Sequence, residues 1–118
     1  MPENPGGLIC STIATGVPAG GMVTLHGAKH VFQVAGETSA STGAATGKIQ
    51  GAINAPDFDA TSGDDGAYWV DLASWSLTLG TTVTVDYVVI DAPWKYARLL
   101  VSTISGTDAT IRFYKSSV

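Results

Sequence analysis

The sequence predicts an all-β domain, an antiparallel β-sandwich or jelly roll of seven to nine short strands with an extended N-terminal arm. Two observations predict it. Short runs rich in Val, Ile, Thr and aromatic residues recur along the chain, and Gly, Pro, Asn or Asp separate most of them. No segment holds an apolar helical period over the ~11 residues a helix needs. Composition agrees. The chain is 45% hydrophobic and 14% charged, which is enough apolar material for a core and too little charge for a disordered chain. Its 14 glycines and many Ser and Thr favour strands and turns. The low charge also hints that a partner covers part of the surface. At 118 residues this is one domain, an arm at 1–7 followed by a single sandwich at 8–118.

Taken in order, MPENPGG (1–7) carries two prolines and two glycines and resists both helix and sheet, so it is read as an extended arm. LICSTI (8–13) is the first strand, MVTLH (22–26) the second and KHVFQVA (29–35) the third. GETSASTGAATG (36–47) is small and polar throughout, with nothing to bury, and predicts a long loop. KIQGAI (48–53) alternates as a strand. After an aspartate-rich stretch, AYWVDL (67–72) and SLTL (76–79) are two further strands. TVTVDYVVI (82–90) is the clearest strand, with Val83, Val85, Tyr87 and Val89 on one face and Thr82, Thr84 and Asp86 on the other. Its end, Val88 to Ile90, is apolar on both faces, which predicts cover by another layer or an interface. ARLLVSTI (97–104) and ATIRFY (109–114) complete the set.

Several function classes are disfavoured at once. The net charge is −4 and the six Lys and Arg are scattered, so no basic stripe offers itself to nucleic acid or an anionic membrane. The single cysteine, Cys10, forms no intrachain disulfide, and in its apolar run it reads as a small buried hydrophobe. The N-terminal segment has neither the basic start nor the apolar core of a signal peptide, and nothing approaches the ~20 apolar residues of a membrane span.

DFDATSGDDGAYWVDL (57–72) is the one stretch with metal-like chemistry, because hard cations favour clustered carboxylates. With Asp57 at position 1 of a calcium loop, Asp59 and Thr61 fall on ligand positions. Ser62 then stands where Gly is needed and Tyr68 where the bidentate Glu belongs. An irregular calcium site from Asp57, Asp59, Asp64 and Asp65 is the remaining metal candidate. The competing reading is a polar loop of solvated acids closed by the turn dipeptide Asp65-Gly66. His26 and His30 lack a third ligand and are expected as surface or half-buried polar residues. Gly43 to Lys48 fails as a phosphate loop, with Ile49 in place of the magnesium-binding hydroxyl. No nucleophile–base set stands out, so no catalytic residue and no cofactor is expected, and the chain is read as no enzyme. Trp69 and Trp75 are expected in the core between sheets. Trp94, following a proline at the start of a strand, is expected at a rim within reach of a partner.

Two segments resemble small β-domains of tailed-bacteriophage virions. SGDDGAYWVDL is similar to their pattern S-N-D-G-x-x-W-x-x-L. DAPWKYARLLVSTISGTDATIRFYKSS resembles their C-terminal half, where an Ala-Pro-aromatic-basic-aromatic start leads through a Gly-Thr-Asp turn to a final strand. The resemblance covers residues 63–114. It implies a noncatalytic virion protein made in the host cytoplasm, foremost a capsid decoration (cement) protein on the head surface. Its implied partners are the major capsid protein and further copies of itself, as a trimer. A glycan-binding or structural module of a tail or fibre is the alternative, and a calcium-stabilised β-domain a further one. Partner contacts are expected from the arm and the strand starts, at Pro2, Asn4, Pro5, Leu8, Trp94 and Tyr96.

Overall fold

The computed structural model describes residues 7–27, 29–59, 65–91 and 94–117. Among these residues eight strands run β1 (Gly7–Thr12), β2 (Met22–Thr24), β3 (His30–Glu37), β4 (Ala40–Ala52), β5 (Val70–Leu79), β6 (Thr84–Ile90), β7 (Tyr96–Thr107) and β8 (Thr110–Ser117). They form two four-stranded sheets, ordered β1-β8-β3-β6 and β2-β7-β4-β5, with every pairing antiparallel. Every connection except β4 to β5 crosses between the sheets, and this order is that of an eight-stranded jelly roll. The expected all-β sandwich is therefore what the chain forms. Positions 1–6 of the expected arm lie outside the described residues, and Gly7 opens β1.

Period-two alternation places the core. Phe32, Val34, Val88, Ile90, Ile111 and Phe113 point inward from one sheet. Ala45, Ile49, Trp75, Leu77, Leu79, Leu99 and Val101 meet them from the other. Trp75 is the largest fully buried side chain, and its ring meets Phe113 edge-on at 5.6 Å between centroids.

The expected loop at 36–47 is instead the end of β3, a tight turn and the first half of β4. β4 is a central strand between β5 and β7, and Gly47 stands opposite Trp75. A Cβ at Gly47 would run into the Trp75 ring and the Leu100 carbonyl oxygen. The small residues that read as having nothing to bury are what lets two neighbouring strands and an indole close over this one. The two strands expected at 67–72 and 76–79 are likewise one strand, β5.

β6 and β5 are edge strands of opposite sheets that lie side by side. Asp86 Oδ2 accepts the Ser76 backbone N–H at 3.0 Å, and Thr84 Oγ1 donates to the Thr78 carbonyl at 3.1 Å. Side chains of one edge thus satisfy main-chain groups of the other, which blunts an edge otherwise open to strand addition.

Cys10 is buried, as expected, and burial pushes its thiol up to about 11. The folded chain then keeps a proton that the unfolded chain releases near 9.0. This contribution to stability is complete below pH 9 and is lost as pH rises toward 11. Denaturation midpoints should fall across that window, and the fall should be shallower in Cys10→Ala.

Candidate functional site

The aspartate-rich segment connects β4 to β5, and its second half folds onto the outer face of the β2-β7-β4-β5 sheet. Asp65, expected as a solvated loop acid, is 5% exposed. Gly66 takes φ +83°, the left-handed turn conformation that the Asp-Gly dipeptide predicts. The chain direction this creates brings Trp69 back over Asp65. The Trp69 indole N–H donates to both carboxylate oxygens, at 2.7 and 3.0 Å, and the Ala67 N–H donates at 3.1 Å. Arg98, projecting outward from β7, adds Nη1 at 3.1 Å and lays its guanidinium over the Trp69 ring, 4.8 Å from the centroid.

The network continues across three strands. Arg98 Nε donates to Gln50 Oε1 at 2.6 Å, and Gln50 Nε2 donates to Asp71 at 2.7 Å. Lys48 Nζ closes the chain on Asp71, also at 2.7 Å. The Lys48 ammonium first, and then the Gln50 amide, hold the Asp71 carboxyl below its ordinary range. That outer pair is solvent-exposed and contributes little. The Asp65–Arg98 pair is the buried one, with side chains 2% and 13% exposed. Backbone ties brace the loop further. Asp57 N–H donates to the Asp65 carbonyl at 2.7 Å, Asn54 Nδ2 to the Gly66 carbonyl at 3.0 Å, and Tyr68 N–H to Asn54 Oδ1 at 3.0 Å.

Of the proposed calcium ligands, the described Asp57, Asp59 and Asp65 are not gathered as a ligand set. The Asp65 carboxylate is given to Trp69, Ala67 and Arg98. Asp57 Oδ1 accepts the Asp59 N–H at 3.0 Å in a local turn, and Asp59 is exposed. Asp64 lies outside the described residues. Among the described residues no three His, Cys, Asp or Glu gather as metal ligands.

The tryptophans divide differently from expectation. Trp75 is core. Trp69, expected there too, is half-buried on the outside of a sheet, because the buried carboxylate and Arg98 give its N–H and ring better partners than an apolar interior. Trp94, expected at a rim, is half-buried and packs against the core, close enough to Gly51 that a Cβ there would meet its ring. Trp94 thus plugs one end of the inter-sheet space. Tyr96 is half-buried, 6.1 Å from the Phe58 ring. Leu8 is 56% exposed on β1. Pro2, Asn4 and Pro5 lie outside the described residues. His26 is exposed, but His30 is fully buried, and its Nε2 donates to the Gly27 carbonyl at 3.1 Å.

Sequence reasoning missed two residues. Arg98 is a lone cation in the apolar run ARLLV, a pattern that calls for a buried anion elsewhere. Tyr68 is 82% exposed two residues before β5, and alternation with Trp69 gives its outward direction. Ile53, Phe58 and Val70, 47–57% exposed, share the same loop and its stems.

The site is thus a rigid, internally satisfied cluster that presents apolar side chains, with no set of groups arranged for acid–base or nucleophilic work among the described residues. No protein-family model matches the chain, and no curated protein matches it. It is similar to the solved structure described as "CBM4 structure and function", at TM-score 0.48 and 12% identity, over 80% of this chain. The match spans 57% of that chain's length. A likeness at that level says nothing of a ligand.

Proposed function

We propose that this chain is a noncatalytic virion protein of a tailed phage. In this reading it is a capsid decoration (cement) protein that binds the outer surface of the assembled head and bridges major capsid protein subunits. One observation carries the reading. The two segments that resemble virion β-domains, separate in sequence, meet through Asp65, Trp69 and Arg98 as one cluster. The motif residues are spent on bracing a loop, and the loop offers outward the aromatic and aliphatic side chains of Tyr68, Phe58, Ile53 and Val70, with Asp57 and Asp59 exposed on either side of Phe58. A preorganised aromatic anchor rimmed by acids suits docking on a protein surface. A protein that binds the assembled shell and not its free subunits stabilises the shell by mass action.

The test adds purified protein to expanded empty heads of the encoding phage, stripped of their own copy. The expected result is saturable addition and a higher disruption temperature, with Tyr68→Ala weakening addition more than tenfold while its own melting is unchanged. Heads that take up no protein, or disrupt at the same temperature when loaded, refute the reading. A glycan-binding tail or fibre module is the second reading, favoured by the exposure of Tyr68 on a braced loop. Millimolar sugar binding that Tyr68→Ala abolishes would select it.

A further inference from the structure

The outer face of the β1-β8-β3-β6 sheet is the second surface the fold leaves open, and its chemistry is unusual. Strand β6 turns its more apolar side away from the core. Val88 and Ile90 point in, while Val83, Val85, Tyr87 and Val89 are 43–67% exposed. Registration extends this stripe across the sheet. Leu8, Tyr114, Gln33 and Tyr87 stand side by side on the four strands. Ser116, Val31 and Val89 form the row on one side, and Arg112, Ala35 and Val85 the row on the other. Arg112 is neutralised at the rim by Glu37 at 2.8 Å, and the remaining residues of these rows carry no charge. Val31, Gln33, Tyr114, Lys115 and Ser116 line a shallow depression, with Lys115 half-buried.

We propose that this face is the contact between two copies of the chain, stacked sheet on sheet about a two-fold axis near Gln33. Charge is the first reason for choosing a second copy. Two chains of net charge −4 repel. A two-fold contact sets each patch against its own image, so a charged patch meets a like charge. These rows hold one cation, Arg112, which is paired within its own chain, and Lys115 beside the middle row is half-buried, so little like charge meets across the axis. Gln33 is the second reason. It is the polar residue between two tyrosines in the middle row, and its amide both donates and accepts, so across a two-fold axis it satisfies its own copy. Flat sheets stack about 10 Å apart with such side chains interleaved.

Size sets the strength. Four strands spaced about 4.8 Å apart and about 24 Å long give roughly 450 Å² per copy, or about 900 Å² in all. That falls below the ~1,000 Å² of a stable specific interface, so the pair is weak and reversible, not obligate. Pairing would join two docking loops in one particle and add avidity to the proposed head contact. It does not depend on that contact, and it is tested without heads.

Sedimentation of the full chain from micromolar to millimolar concentration should show a reversible monomer–dimer equilibrium. Tyr87→Arg should remain monomeric throughout, with the wild-type melting temperature at low concentration. Gln33→Glu, nearly isosteric, should weaken the dimer more than tenfold at neutral pH, and Tyr68→Ala should leave it unchanged. A wild-type chain monomeric at every concentration overturns the proposal. So does a trimer, or a dimer that survives both Tyr87→Arg and Gln33→Glu.

Discussion

Replacing Trp75 with alanine should cost about 4 kcal/mol, the middle of the range for emptying a buried aromatic site. Trp75 is 2% exposed, touches Phe113 edge-on and fills the space that Gly47 leaves open. The cavity has little means of collapse, because the facing position has no side chain to swing in. Trp75→Phe should cost much less. Its ring still reaches the core, and it removes an indole N–H that is buried without a hydrogen-bond partner among the described residues. An unsatisfied buried donor carries a penalty of about 1–3 kcal/mol, and losing it offsets part of the lost volume. Urea denaturation of both variants checks the pair. A loss below about 1.5 kcal/mol for Trp75→Ala, in this case well under the usual range for such a deletion, would contradict this account of the core.

Asp65→Asn should be the second most damaging substitution, at about 3 kcal/mol. The change keeps the shape and a carbonyl oxygen for the Trp69 indole, but it leaves the Arg98 guanidinium half of a buried pair. The figure is set at the low end of the range for breaking such a pair because Arg98 keeps Gln50 and the Trp69 ring. The double variant Asp65→Asn/Arg98→Met should be no less stable than Asp65→Asn alone, since it removes the orphaned charge. Strict additivity of the two single losses would show that the groups do not act as a pair. The same geometry predicts that calcium and chelators leave the melting temperature unchanged, because the Asp65 carboxylate is already fully engaged. A calcium-dependent rise of several degrees would restore the metal reading.

Much of the fold was legible because it rests on local chemistry. Alternation in β6 and β8, the Gly-Thr-Asp turn between β7 and β8, and the left-handed Gly66 all follow from residue type and period. The segment 36–47 was not legible, because its small residues are explained by what packs over them. Gly47 is small for Trp75, which lies 28 positions later. The candidate site was half legible. Asp65-Gly66 and Trp69 mark a structured turn, but the carboxylate's fate depends on Arg98, which only strand pairing brings near.

By itself, then, the sequence determined the class: an all-β sandwich, with Cys10 buried and little charge to spend. Only the tertiary structure decided which face of β6 meets the core, whether Asp65 is wet or buried, and where the three tryptophans go. The reason is physical. Alternation reports that a strand has two different faces but not which one the second sheet covers. That choice falls to Val88 and Ile90 because they meet the partner sheet, and it leaves Val85, Tyr87 and Val89 as an uncovered stripe. A carboxylate is stable buried only where a cation and donors converge on it, and that convergence is a property of the folded sheets.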